Sequence, residues 1–224
     1  MDSEDDVPQG LSPAEVYRRK KVDHYLRIVQ DHVDMGRYIS ALKTLDIVFS
    51  LDRNNQDARD IRKAVDDILS RMLHRGKNGH STDESFHPPA TLRRNELVMI
   101  VDQDERLLKS MTDSLRKYGF MSIGASSFEE AVDTYALVRP DVAISEVNFE
   151  TGPRGFDLYS WLKTNSGRDN IPFLFLATRI DRETLIAGKR FGVDDLILKP
   201  VDNDVVIASV INSLSRRKAA LVQA

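Results

Sequence analysis

The 224-residue chain contains no cysteine, which excludes disulfides, thiolate zinc sites and cysteine nucleophiles and fits a reducing cytoplasm. It also lacks any run of about 18 apolar residues, so no segment is expected to span a bilayer. Charge of one sign is lacking too: 32 Lys+Arg against 35 Asp+Glu leave a net charge of −3, which gives no global pull toward nucleic acid or an anionic membrane. The start, Met1 to Gly10, is acidic and polar, unlike a secretory signal or a mitochondrial-type transit peptide. HExxH, Walker A and GxGxxG patterns are absent, and the five histidines show no metal-ligand spacing. The expectation is a cytoplasmic protein that is not an enzyme and carries no resident cofactor. What is present suffices for two small cores: 41% of the residues are hydrophobic, as in ordinary globular domains.

Residues 1–11 combine acids with Pro and Gly and read as a disordered tail. A helix is expected from Ser12-Pro13-Ala14-Glu15, where Ser caps, Pro takes the first helical position and Glu reaches back to the cap. Val22, Tyr25, Leu26, Val29 and Val33 then recur at helical spacing. Gly36 allows a tight turn into a second helix with Tyr38, Leu42, Leu45, Val48 and Phe49 on one face. Leu51 to Asn55 ends it and caps a third, whose stripe is Ala58, Ile61, Val65, Ile68 and Met72. Such short turns force antiparallel neighbours. Gly36 to Leu42 followed by Leu51 to Ala58, with Tyr25 and Ile28 upstream, resembles a tetratricopeptide (TPR) repeat. Val29 stands where that repeat has a small residue and Arg53 where it has a helix-ending proline. An ordinary three-helix bundle with the same turn chemistry is the alternative; either is a docking surface over residues 12–74.

Residues 75–95, with Gly, Ser, His and Pro-Pro but no apolar period, read as a linker. Beyond them short apolar runs alternate with helical stripes. Strands are expected at Leu97–Val101, Phe120–Gly124, Val142–Ser145, Phe173–Leu176 and Leu196–Leu198. Helical stripes include Leu107, Leu108, Met111 and Leu115, then Phe128, Ala131, Val132 and Tyr135. Further helices are placed at about 156–164, 182–191 and 203–218. Strict alternation predicts a (βα)5 doubly wound parallel sheet over residues 96–219, with its site at the C-terminal ends of the strands.

Four stretches at that edge carry a resemblance: Val101-Asp102-Gln103-Asp104-Glu105, Pro140 to Asn148, Ile171 to Thr178, and Gly192 to Pro200. Together they resemble the receiver (CheY-like) family of two-component signalling, in a flavodoxin-like fold. The resemblance implies an aspartate phosphoacceptor ending the third strand and two acids holding Mg²⁺ after the first. It also implies a Ser or Thr ending the fourth strand, and a lysine after the fifth followed by a cis proline bond. Asp102, Lys199 and Pro200 match. Glu146 replaces the acceptor, and its extra methylene displaces the carboxylate by about 1.3–1.5 Å, a shift that can cost about 100-fold where in-line geometry matters. Gln103 replaces the second acid, leaving Asp102 at most a weak Mg²⁺ ligand. Ala177 replaces the hydroxyl residue, with Thr178 beside it on the opposite side of an unbulged strand. Leu196 stands where the family has a switching aromatic. Asp104 borders the pocket but opens a helix, where a capping acid is expected, and Asn148 follows the acceptor position.

These departures imply a pseudo-receiver: a phosphorylation-independent adaptor in which Glu146 and Lys199 either imitate an activated state or, the favoured reading, form a structural ion pair. The alternative is a working response regulator phosphorylated in a phosphorelay at a non-standard acid. Asp141 is excluded from that role, being roughly 16 Å from Glu146 at strand rise. The expected partners are proteins, with a homodimer through the last two helices and fifth strand and exposed Leu196 and Ile180 as candidates. Nucleic acid is not expected, because Arg18-Arg19-Lys20-Lys21 and Arg216-Arg217-Lys218 are short runs on helices and the chain leaves no room for a C-terminal DNA-binding domain. His24 and His32 are placed at the helical surface.

Overall fold

The computed structural model describes residues 12–74, 95–150, 152, 154–166 and 171–222; the expected tail, and the linker apart from Asn95, lie outside them. Three helices come first, α1 (Pro13–Asp34), α2 (Tyr38–Leu51) and α3 (Gln56–His74). Ser12 and Glu15 form the anticipated capping box, Gly36 takes φ 72°, and the Asn55 side chain caps α3 by accepting the Ala58 amide at 2.9 Å. Val22, Val29, Ala41, Leu45, Val48 and Ala58 close a core of their own.

The remainder alternates strand and helix: β1 (Leu97–Val101), α4 (Glu105–Lys117), β2 (Met121–Ala125), α5 (Phe128–Val138), β3 (Val142–Glu146), α6 (Gly155–Asn165), β4 (Phe173–Ala177), α7 (Arg182–Phe191), β5 (Asp195–Leu198) and α8 (Asn203–Val222). All pairs are parallel, in the order β2-β1-β3-β4-β5. This is the expected doubly wound sheet, and its central strands are buried on both faces because helices cover both. Met99, Ala143 and Phe173 on one face pack with Ala131, Tyr135, Leu158 and Leu162 of α5 and α6. Ile100, Ile144 and Leu174 on the other pack with Leu108 and Met111 of α4 and Val206 and Val210 of α8.

The helical region packs against this sheet. Tyr38, Val65, Leu69 and Met72 join the α5–α6 side of the core. The turn between α1 and α2 meets β2, the edge strand, where Gly36 O accepts the outward-facing Gly124 amide at 3.0 Å. A Cβ on Gly124 would stand 2.6 Å from Met35 O, so the strand has glycine where the helical backbone comes closest. His32 is half-buried, contrary to its expected surface position, because it sits on this seam. Burial and the neighbouring Arg37 charge hold its imidazole below its ordinary pKa.

Candidate functional site

The C-terminal ends of β1, β3 and β5 bring Asp102, Glu146 and Lys199 together. Asp102 follows β1 and is almost wholly buried, and Glu146 ends β3 in a similar state. Lys199 follows β5 and enters a cis bond to Pro200, as expected from the resemblance. Its ammonium lies 2.7 Å from Asp102 Oδ2 and is ion-paired with Glu146 Oε2 as well. Burial pulls the Lys199 pKa down, but hydrogen bonds and charge from Asp102 and Glu146 outweigh that and leave it above the usual lysine value.

The other carboxylate oxygens are engaged by backbone. Glu146 Oε1 accepts the Val147 and Asn148 amides at 3.1 and 3.3 Å. Asp102 Oδ1 accepts the Asp104 amide at 2.9 Å. Asp102 Oδ2 is engaged by the Lys199 ammonium alone among the described residues. Asp104 is the N-cap of α4, its Oδ1 taking the Arg106 and Leu107 amides. Gln103 does not ligate inward: its Oε1 accepts the Glu150 amide at 2.6 Å and ties the loop after β1 to the loop after β3. Ala177 is buried at the end of β4, while Thr178 and Asn148 are exposed.

Two features of the site were not anticipated. Gly155, the first residue of α6, lies under the Glu146 carbonyl with no room for a Cβ, and its amide donates to Val147 O at 2.9 Å; the sequence signal was a glycine nine residues beyond Glu146. Arg37, from the helical region, reaches Glu105 at the start of α4 at 3.5 Å. Leu196 also differs from expectation. It is half-buried against the aromatic side of the core, in register with Phe175, whereas Ile180 is exposed as anticipated. Asp141 lies at the far end of β3, accepting the Leu97 amide at 2.9 Å.

This donor set does not fit Mg²⁺. A hard cation needs several free oxygens, and here the Asp102 and Glu146 carboxylate oxygens each face a backbone N–H or the Lys199 ammonium, and Gln103 Oε1 faces a backbone N–H. Among the described residues no group of three or more carboxylates or imidazoles is gathered. Lysine fills the cation's place between the two carboxylates.

Residues 98–211 match the sequence profile of the response regulator receiver domain. Over 113 residues the chain is 30% identical to the sensory transduction protein BceR of Bacillus subtilis, covering 50% of this chain and 47% of that one. It is 26% identical over 119 residues to the transcriptional regulatory protein YxdJ of the same organism, covering 53% and 50%. The response regulator protein GraR of Staphylococcus epidermidis matches at 25% over 113 residues, covering 50% and 49%. The chain thus spans about half the length of the curated relatives it matches. Among solved structures, chemotaxis protein CheY4 of Vibrio cholerae shares the fold at TM-score 0.50 and 24% identity, covering 53% of this chain and 98% of that one. A putative response regulator from Chloroflexus aurantiacus aligns at TM-score 0.50 and 28% identity, over 54% and 98%. These relatives overturn one expectation. A partner list without nucleic acid does not stand when the same half of the chain is shared with a protein named as a transcriptional regulator; the weak net charge and short basic runs on which it rested describe this chain alone. Among the described residues no helix is long and apolar enough to cross a membrane.

Proposed function

The chain belongs to the response regulator receiver family, and on that footing we propose that it is a pseudo-receiver: a non-enzymatic, cytoplasmic signalling adaptor that works without phosphorylation. The observation that carries this reading is the Lys199 ammonium clamped between Asp102 and Glu146. Phosphoryl transfer needs a short fixed nucleophile, a cation and aligned donors. Here the nucleophile's place is held by a longer carboxylate already paired, and the cation's place by the lysine. With Ala177 at the end of β4, no hydroxyl stands there to bond an incoming phosphoryl oxygen.

The N-terminal helices, over residues 12–74, are read as a TPR-like docking region beside a receiver over residues 96–219. The antiparallel α1–α2 hairpin turning at Gly36 and the Asn55-capped entry to α3 support this.

The test is a titration of the ¹⁵N-labelled protein with Mg²⁺ and beryllofluoride, a phosphoryl mimic. Backbone amides at Asp102, Glu146 and Lys199 are expected not to move. Saturable shifts at those residues would establish a working phosphoryl pocket and end the adaptor reading.

A further inference from the structure

Arg37 is the only charged side chain that the helical region buries in the seam with the sheet, among the described residues. Its guanidinium contacts three separate pieces of the receiver: Glu130 of α5 at 3.2 Å, Ser126 Oγ in the β2–α5 turn at 2.6 Å, and Glu105 of α4 at 3.5 Å. Glu130 is itself buried and also accepts from Ser40 of α2 at 2.5 Å and from the Ser126 amide at 2.7 Å. Around this cluster Arg116 donates to the Tyr38 hydroxyl at 2.6 Å. Lys43 pairs with Asp133 and Lys109 with Asp34 at the rim.

An open edge strand leaves outward amides without partners. In β2 the Gly124 amide is such a group, and the helical turn satisfies it through Gly36 O. A buried arginine that lost its carboxylate, or a buried Glu130 that lost Arg37, would leave an uncompensated charge. Separation of the helices therefore removes a backbone partner and breaks a buried charge cluster together.

The cluster also adjoins the pocket. Asp102 holds the Asp104 amide, Asp104 caps α4, and Glu105, the next residue, is held by Arg37. We propose that α1–α3 are a permanent occupant of the α4–β2–α5 edge of their own receiver. Arg37 couples that seat to the pocket through the first turn of α4. The helical region then sets the pocket's conformation, and any ligand that shifts the pocket loop is felt by the helices in equal measure, since coupling between sites is reciprocal. The coupling holds whether or not the pocket accepts a phosphoryl group, so its failure is distinct from failure of the adaptor reading.

The experiment follows amide hydrogen exchange in the intact chain and in Arg37→Ala, Arg37→Lys and Gly124→Ala. The last places a methyl against Met35 O and beside Arg37 Cγ and removes no charged group. Protection of Met99 and Ile100 amides in β1 serves as the folding control. In each variant the Asp104 amide, and in the Arg37 variants also the Gly124 amide, is expected to exchange about 5-fold faster or more, the lower end of typical coupling. Lysine should fall between arginine and alanine, because it keeps the charge and loses the planar fork. Unchanged exchange at Gly124 in the Arg37 variants overturns the seat. Faster exchange at Gly124 with none at Asp104 overturns the coupling. If β1 protection collapses in Arg37→Ala, Arg37→Lys decides by both readings and Gly124→Ala by the Asp104 reading. A protease cut placed within residues 75–94 gives an independent reading. The two fragments are expected to remain a complex of one copy each, whereas separated fragments or a complex of two chains would overturn permanent occupancy in cis.

Discussion

Lys199 is, among the described residues, the one cation paired with both of two nearly buried carboxylates. Lys199→Met keeps much of the aliphatic stem and removes the charge, leaving Asp102 and Glu146 to face each other. Breaking a buried pair costs about 3–5 kcal/mol, and the lower end applies because the lysine side chain is 20% exposed. The expected result is a correspondingly lower urea midpoint at neutral pH. A raised lysine pKa contributes stability fully present below the unfolded value of about 10.4 and lost as pH rises through the higher folded value. The difference in midpoint between wild type and Lys199→Met should therefore stay constant from neutral pH and shrink only in strong alkali; a difference that shrank below pH 9 would contradict the clamp. Asp102, Glu146 and Lys199 were legible in the sequence because each sits at a strand end in a recognisable run. The engagement of Gln103 with the Glu150 amide was not legible, since it depends on how two loops lie against each other. Arg37 was invisible for a stronger reason. It follows a turn glycine and reads as solvated, and its partner Glu130 lies 93 residues away.

At the scale of elements, strand cores were readable from continuous apolar runs, but their ends moved. β2 runs Met121–Ala125 and not Phe120–Gly124, and β3 and β4 each extend one residue further than expected, to Glu146 and Ala177. Ladder partners on the neighbouring strands fix such ends, as Glu146 opposite Leu176 shows, and a single run of residues does not contain them. The α5 stripe was read as Phe128, Ala131, Val132 and Tyr135, whereas its buried face is Glu130, Ala131, Thr134, Tyr135 and Val138. Glu130 and Thr134 belong there because a second set of helices lies outside α5; polar residues among apolar ones at helical spacing were the available sign. Helix starts were more local and so more legible. Asp104 caps α4 through two amides, and its loss should cost about 0.5–2 kcal/mol. Thermal unfolding of Asp104→Ala should show this, and Asp104→Asn, which still caps, should recover most of it; equal losses in both would mean that the acid's charge and not its cap matters.

For the whole molecule, the sequence suggested two modules on a linker, and the seam that holds the described helices on the sheet is built from groups whose charge depends on pH. Burial raises the Glu130 pKa, but Arg37, Ser40 and Ser126 outweigh this and leave it below the ordinary carboxylate value. His32 is lowered by burial and by Arg37, with Glu130, Glu105 and Asp31 opposing. Both folded pKa values are depressed, so both groups contribute stability present above their unfolded values and lost as pH falls through the folded ones. The two windows are separated: His32 acts from about pH 6.5 downward and Glu130 from about 4.3 downward. Acid should therefore loosen the seam in two stages while the apolar sheet core, whose strands β1 and β4 carry no titrating side chain and flank β3 with Glu146 only at its end, persists. Exchange of the Gly124 amide, measured from pH 7 to about 2.5 and corrected for intrinsic rates, should accelerate in both windows. His32→Gln should abolish the upper stage and Glu130→Gln the lower, while Met99 and Ile100 stay protected. A single step shared by Gly124 and β1 would instead mean that helices and sheet open only together.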